Sequence, residues 1–148
     1  MTYIQYLELP AVPDLIIEQI PRDLSRYTLP ENFVSRSPFI WSASFNEDYN
    51  AWCKKNICKE MFFALQAMPG DQIKHKDRGS LTKLNYVFET GGENVKTKFW
   101  SDDSPTATLL GEYCIAPNKW HIFKADAFHS VENIAIGKQR MAITARIF

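Results

Sequence analysis

A chain of 148 residues with 45% hydrophobic and 14% aromatic content carries ample material for one packed core, which excludes a disordered polypeptide. Its 17 basic side chains balance 17 acidic ones at a sequence pI near 6.8, so nothing electrostatic points to nucleic acid or an anionic membrane. No apolar run approaches a membrane span, and no basic segment followed by an apolar core opens the chain, so neither a membrane partner nor a secretory leader is expected.

The first 50 residues read as irregular, broken by Pro10, Pro13, Pro21, Pro30 and Pro38. Within them, Asp14 to Ile20 can form a short helix with Asp14 near its N-terminus. Asn46 to Ile57 reads as a second helix. Tyr49, Trp52, Cys53 and Ile57 recur at three- and four-residue spacing, and the acidic residues come early and the lysines late. This helix is expected to cover one face of a sheet.

From Met61 onward the pattern is β. Strands are expected at Met61–Met68, Gln72–Asp77, Thr82–Glu89, Val95–Trp100, Thr108–Cys114, Lys119–Lys124, Ser130–Asn133 and Arg140–Ile147. Turn chemistry separates them at Gly91-Gly92, at Asp102 to Pro105, at Ala116-Pro117-Asn118, at Asp126 and at Gly137. Short strands and frequent turns with helices only near the N-terminus predict a mainly β sandwich or barrel. One domain over residues 1–148 is expected, with 1–58 as an extension carrying the covering helix and 59–148 as the core. Cys53, Cys58 and Cys114 are odd in number and lack the spacing of a zinc ligand set, so they read as reduced thiols in a cytosolic compartment.

The chemistry concentrates in His75-Lys76-Asp77. Strand alternation turns His75 and Asp77 to one face and Lys76 to the other. An imidazole and a carboxylate side by side suit a divalent first-row metal, and His129, about 50 residues on, is the candidate third ligand. His121 competes for that place, but it falls inside the aromatic run Trp120 to Phe123. Two histidines, one carboxylate and open positions make the facial triad of non-haem Fe(II) oxygenases. Arg140 then opens the last strand, sharing a face with Ala142, Thr144 and Arg146.

Four stretches carry a family likeness: Pro69-Gly70 with His75-Lys76-Asp77; Lys83-Leu84-Asn85 through Gly91-Gly92; Phe128 to Asn133; and Arg140-Met141-Ala142. They span roughly half the chain, and their order resembles the 2-oxoglutarate- and Fe(II)-dependent oxygenase superfamily. The likeness is greatest to its small phage and bacterial members related to aspartyl/asparaginyl and prolyl hydroxylases. That resemblance implies a double-stranded β-helix (jelly roll) with one or two N-terminal covering helices. It also implies Fe(II) on His75, Asp77 and His129, and 2-oxoglutarate and O2 as cosubstrates. Arg140 would bind the distal carboxylate of 2-oxoglutarate, with Asn85 or Lys83 as further cosubstrate contacts. Where many relatives have Arg-x-Ser, Ala142 removes one hydroxyl. The implied activity is hydroxylation of an amino-acid residue or a small molecule, releasing succinate and CO2, in the cytoplasm (the host's, if phage-encoded). Two alternatives stand beside it: a non-catalytic jelly-roll binding module, and a cupin-type metalloenzyme that does not use 2-oxoglutarate. Neither the substrate nor the oligomeric state is legible in the sequence.

Overall fold

The computed structural model describes residues 2–23, 25, 48–77 and 81–147, together with the backbone of 40–42. Twelve elements follow in chain order: β1 (Ile4–Tyr6), α1 (Asp14–Glu18), β2 (Ile40–Ser42), α2 (Asp48–Asn56), β3 (Phe63–Met68), β4 (Gln72–His75), β5 (Thr82–Thr90), β6 (Lys96–Trp100), β7 (Leu109–Tyr113), β8 (Trp120–Lys124), β9 (Phe128–Glu132) and β10 (Arg140–Ile147).

The strands form two antiparallel sheets, ordered β1-β8-β5-β10-β3-β2 and β4-β9-β6-β7. From β3 to β10 the chain changes sheet at every step except β6 to β7. This alternation winds eight strands into a jelly roll, so the mainly β double-stranded β-helix expected above is the observed fold.

Period-two alternation sorts the side chains of the larger sheet. Met141, Ile143 and Ala145 of β10 pack outward with Phe63, Leu65 and Ala67 of β3 and Leu84 and Tyr86 of β5. Val12, Ile20, Tyr49 and Cys53 close over them, so α2 and the segment around α1 cover this outer face. Tyr49 and Cys53, one turn apart, form the buried stripe of α2; Asp48 lies in its first turn and Lys54 and Lys55 in its last. Ala142, Val87, Phe99 and Phe123 pack inward, between the sheets.

Several expected boundaries shift. The first 50 residues are not irregular throughout. β1 pairs with β8 and β2 with β3, each as a three-residue edge strand too short to show alternation in sequence. The first helix stops at Glu18, short of Ile20. The expected start of the second helix at Asn46 and Glu47, as well as Pro30 and Pro38, lies outside the described residues. β4 ends at His75, so Asp77 follows the strand, whereas β9 begins at Phe128 and takes His129 into the sheet. Gly91, at φ +89°, turns the chain after β5 so closely against β10 that a Cβ there would sit 3.2 Å from the Arg140 nitrogen.

Candidate metal centre

His75 and His129 stand opposite one another in the β4–β9 register, and their rings lie 4.3 Å apart between centroids. Asp77 reaches the same point from beyond the strand. Its backbone N–H donates to the Ala125 carbonyl at 2.9 Å, which ties the residue to the turn after β8. Sequence alternation had placed Asp77 beside His75 as a strand neighbour. The side is the same, but irregular backbone after the strand, not the strand itself, puts it there.

Asp77 Oδ1 lies 3.3 Å from His75 Nε2 and 3.8 Å from His129 Nε2. All three candidate ligand atoms fall within 4.8 Å of one another. Adjacent corners of an octahedron with bonds of about 2.1 Å are about 3 Å apart, so drawing these donors together would bring them onto one face of a first-row ion.

The imidazoles are oriented alike from behind. His75 Nδ1 donates to the Ile73 carbonyl at 2.7 Å and His129 Nδ1 to the Ala127 carbonyl at 2.8 Å, each two residues back. With Nδ1 donating to a carbonyl in each ring, each Nε2 faces the cluster, and a proton there is the one a metal would displace. His129 is buried at 4% exposure and packs against Phe99 and Phe123. Burial and the neighbouring His75 push its pKa down to about 4, against the pull of Asp77, so it is neutral at physiological pH. Burial alone would raise the Asp77 carboxyl. The His75 hydrogen bond and the charges of Lys83 and His129 outweigh it and hold Asp77 well below the usual carboxylate range. Neutral imidazoles and an ionised carboxylate are the states that ligate, so the donor set fits a divalent ion.

The other expected site residues spread along the inner face. Lys83 Nζ lies 2.5 Å from Asp77 Oδ2, so it is engaged at the cluster itself rather than held apart for a cosubstrate. Asn85 accepts a hydrogen bond from Thr144 at 2.6 Å, across the β5–β10 register. Arg140 is buried at 8% exposure and donates from Nη1 to Thr97 Oγ1 at 3.0 Å. Among the described residues it has no carboxylate partner. Arg146, on the same strand, is exposed.

Thr97 lies two residues before Phe99 on β6, and Phe99 is the register partner of His129. One same-face step along a strand is about 7 Å, so Thr97, which Arg140 contacts, lies one such step along β6 from the partner of His129. Thr97 takes its place beside Arg140 through a cross-sheet contact that no local pattern reports. His121 is an inward, buried residue paired with Asn85 and Tyr6, and its Nδ1 has no partner. It is not part of the triad cluster. A separate cleft of about 400 Å³ lies on the outside of the smaller sheet, lined by Ile73, Lys74, Ser104 and Glu132 among others, and does not include the triad.

No protein-family model matches this sequence, and neither does any curated protein. Among solved structures, the chain is similar to hydroxypropylphosphonic acid epoxidase from S. wedmorenis in complex with fosfomycin. That match has a TM-score of 0.45 and 8% identity, covering 84% of this chain and 65% of that one. It is also similar to a predicted oxalate decarboxylase from Thermotoga maritima, with a TM-score of 0.40 and 12% identity, covering 86% of this chain and 100% of that one. No helix among the described residues is long and apolar enough to cross a membrane.

Proposed function

We propose that this chain is an Fe(II)- and 2-oxoglutarate-dependent oxygenase that hydroxylates an amino-acid residue or a small molecule, with release of succinate and CO2. The observation that carries the reading is Arg140, a buried guanidinium between the sheets, without a carboxylate partner among the described residues and bonded to Thr97, one same-face step along β6 from the register partner of His129. Burying such a charge is unfavourable unless something pairs with it. A planar fork at that depth suits the far carboxylate of a dicarboxylate whose other end reaches the triad.

When bound, iron supplies the O2 chemistry that couples oxidation of the 2-oxo acid to hydroxylation of the substrate. The chain's own work is positional. His75, Asp77 and His129 each present one donor atom and would hold the metal. Thr97 orients the guanidinium, and Phe99, Phe123, Val87 and Ala142 make the surroundings apolar and exclude water. Ala142 offers no hydroxyl to the cosubstrate, which leaves more of its orientation to Arg140 and Thr97.

One observation favours the non-catalytic binding module instead. Lys83 already supplies Asp77 with a counter-ion, so the half-buried carboxylate is neutralised without a metal. Anaerobic Fe(II) titration with and without 2-oxoglutarate separates the readings. The oxygenase develops a visible charge-transfer band only when both are present, and yields succinate on exposure to O2. Fe(II) binding without the band, and without succinate, assigns the chain to the module.

A further inference from the structure

We infer that Lys83 makes metal binding and anion binding at this centre mutually dependent, so that a divalent ion is held weakly alone and tightly only together with a dianionic chelator. The inference rests on the metal-site reading above. Its basis is the division of labour between the two oxygens of Asp77. Oδ1 faces the two imidazole Nε2 atoms, while Oδ2 is taken by the Lys83 ammonium at 2.5 Å. A metal on Oδ1 and the ammonium on Oδ2 would be two cations sharing one carboxylate.

The geometry keeps Lys83 there. The Lys83 side chain is only 8% exposed, and its strand is held between β8 and β10 in unbroken register from Thr82 to Tyr86. Bulk water is therefore poorly placed to screen the repulsion between the two cations. Between the sheets, Lys83 meets Asp77, and Arg140, donating to Thr97, is a second buried cation. A divalent ion adds two positive charges to a space that already holds these two cations. A dianion spanning the triad and Arg140 removes two. Each ligand thus relieves the electrostatic penalty of the other, and thermodynamic linkage makes the effect reciprocal. In the same contact, occupation of Oδ2 restricts Asp77 to one metal bond and so preserves the open positions that a bidentate ligand needs.

The test uses Mn(II), followed by loss of the free-ion electron paramagnetic resonance signal, with oxalate as the dianionic chelator. In Lys83→Met, anion-free Mn(II) affinity should rise by about tenfold or more, and the factor by which oxalate tightens Mn(II) should shrink correspondingly. Lys83→Arg keeps the charge and should retain the wild-type coupling. A structural role alone would instead weaken Mn(II) binding in both variants. Unchanged or weaker anion-free affinity in a folded Lys83→Met protein, or an unchanged oxalate factor, overturns the inference.

A second arm needs no variant. In the wild type, oxalate should tighten Mn(II) more than monoanionic glycinate does, each scaled to its own affinity for aquated Mn(II). Equal scaled effects also overturn the coupling. Mn(II) binding that is lost in His129→Ala yet indifferent to Lys83 sinks the coupling and leaves the metal site standing. Absence of Mn(II) binding by the wild type in either anion overturns both.

Discussion

Replacing Arg140 should move affinity and stability in opposite directions. Burial draws its pKa down from the ordinary guanidinium range to about 10, which corresponds to about 3 kcal/mol against the charged form in the ligand-free protein. The hydrogen bond to Thr97 at 3.0 Å returns about 1 kcal/mol of this. Arg140→Met keeps most of the volume and removes the charge. The ligand-free fold should therefore gain about 2 kcal/mol, or about 4–8 °C in Tm for a domain of this size. With 2-oxoglutarate the sign reverses. Its distal carboxylate is then left without a partner in a partly desolvated space, a loss of about 2–5 kcal/mol, or about 30- to several-thousand-fold in affinity. Arg140→Lys should recover only part of that loss, because an ammonium lacks the fork. The exposed Arg146, substituted by Ala, is the control on the same strand. The assays are calorimetric melting of the metal-free protein and anaerobic titration of the Fe(II) form with 2-oxoglutarate. A fall in Tm for Arg140→Met, or equal small affinity losses at positions 140 and 146, would refute the reasoning.

Acid should destabilise the metal-free protein well above the carboxylate range. His121 and His129 both have pKa values lowered from 6.5 to about 4, chiefly by burial, so between those values the unfolded chain binds protons that the folded chain refuses. Stability is therefore full above pH 6.5 and falls as pH drops towards about 4, by up to about 3 kcal/mol per histidine; Asp77 adds its own loss only below 3.8. Urea midpoints measured in chelator at stepped pH should show this slope, and His121→Phe should flatten it; a slope unchanged by that substitution would remove His121 from the account. The cysteines should separate by reactivity. Cys114 is exposed and Cys58 half-buried, while Cys53 is fully enclosed with its thiol pushed up to about 12. An aromatic disulfide reagent should modify Cys114 first and reach Cys53 only on unfolding; rapid labelling of Cys53 in the native state would contradict the packing under α2.

The sequence alone determined what local spacing can carry. The eight jelly-roll strands were legible because alternating side chains and turn residues are properties of neighbours in the chain. α2 was legible for the same reason, since Tyr49 and Cys53 mark its stripe one turn apart. The order of His75, Asp77, His129 and Arg140 was also there to be read, along with the resemblance it carries. Only tertiary structure decided how those residues meet. The β4–β9 pairing sets the two imidazoles face to face, and a backbone hydrogen bond to Ala125 brings Asp77 to them after its strand has ended. The edge strands β1 and β2 escaped notice because three residues are too few for a period to show. Thr97 on Arg140 joins strands distant in sequence, Lys83 on Asp77 joins β5 to a residue that follows β4, and both contacts cross between the two sheets. Such pairings depend on register and on the closing of one sheet over the other, which no window along the chain encodes. The buried charge of Arg140 is likewise a property of enclosure: in sequence it is one more arginine at the start of a strand, and only the opposing sheet takes it out of water.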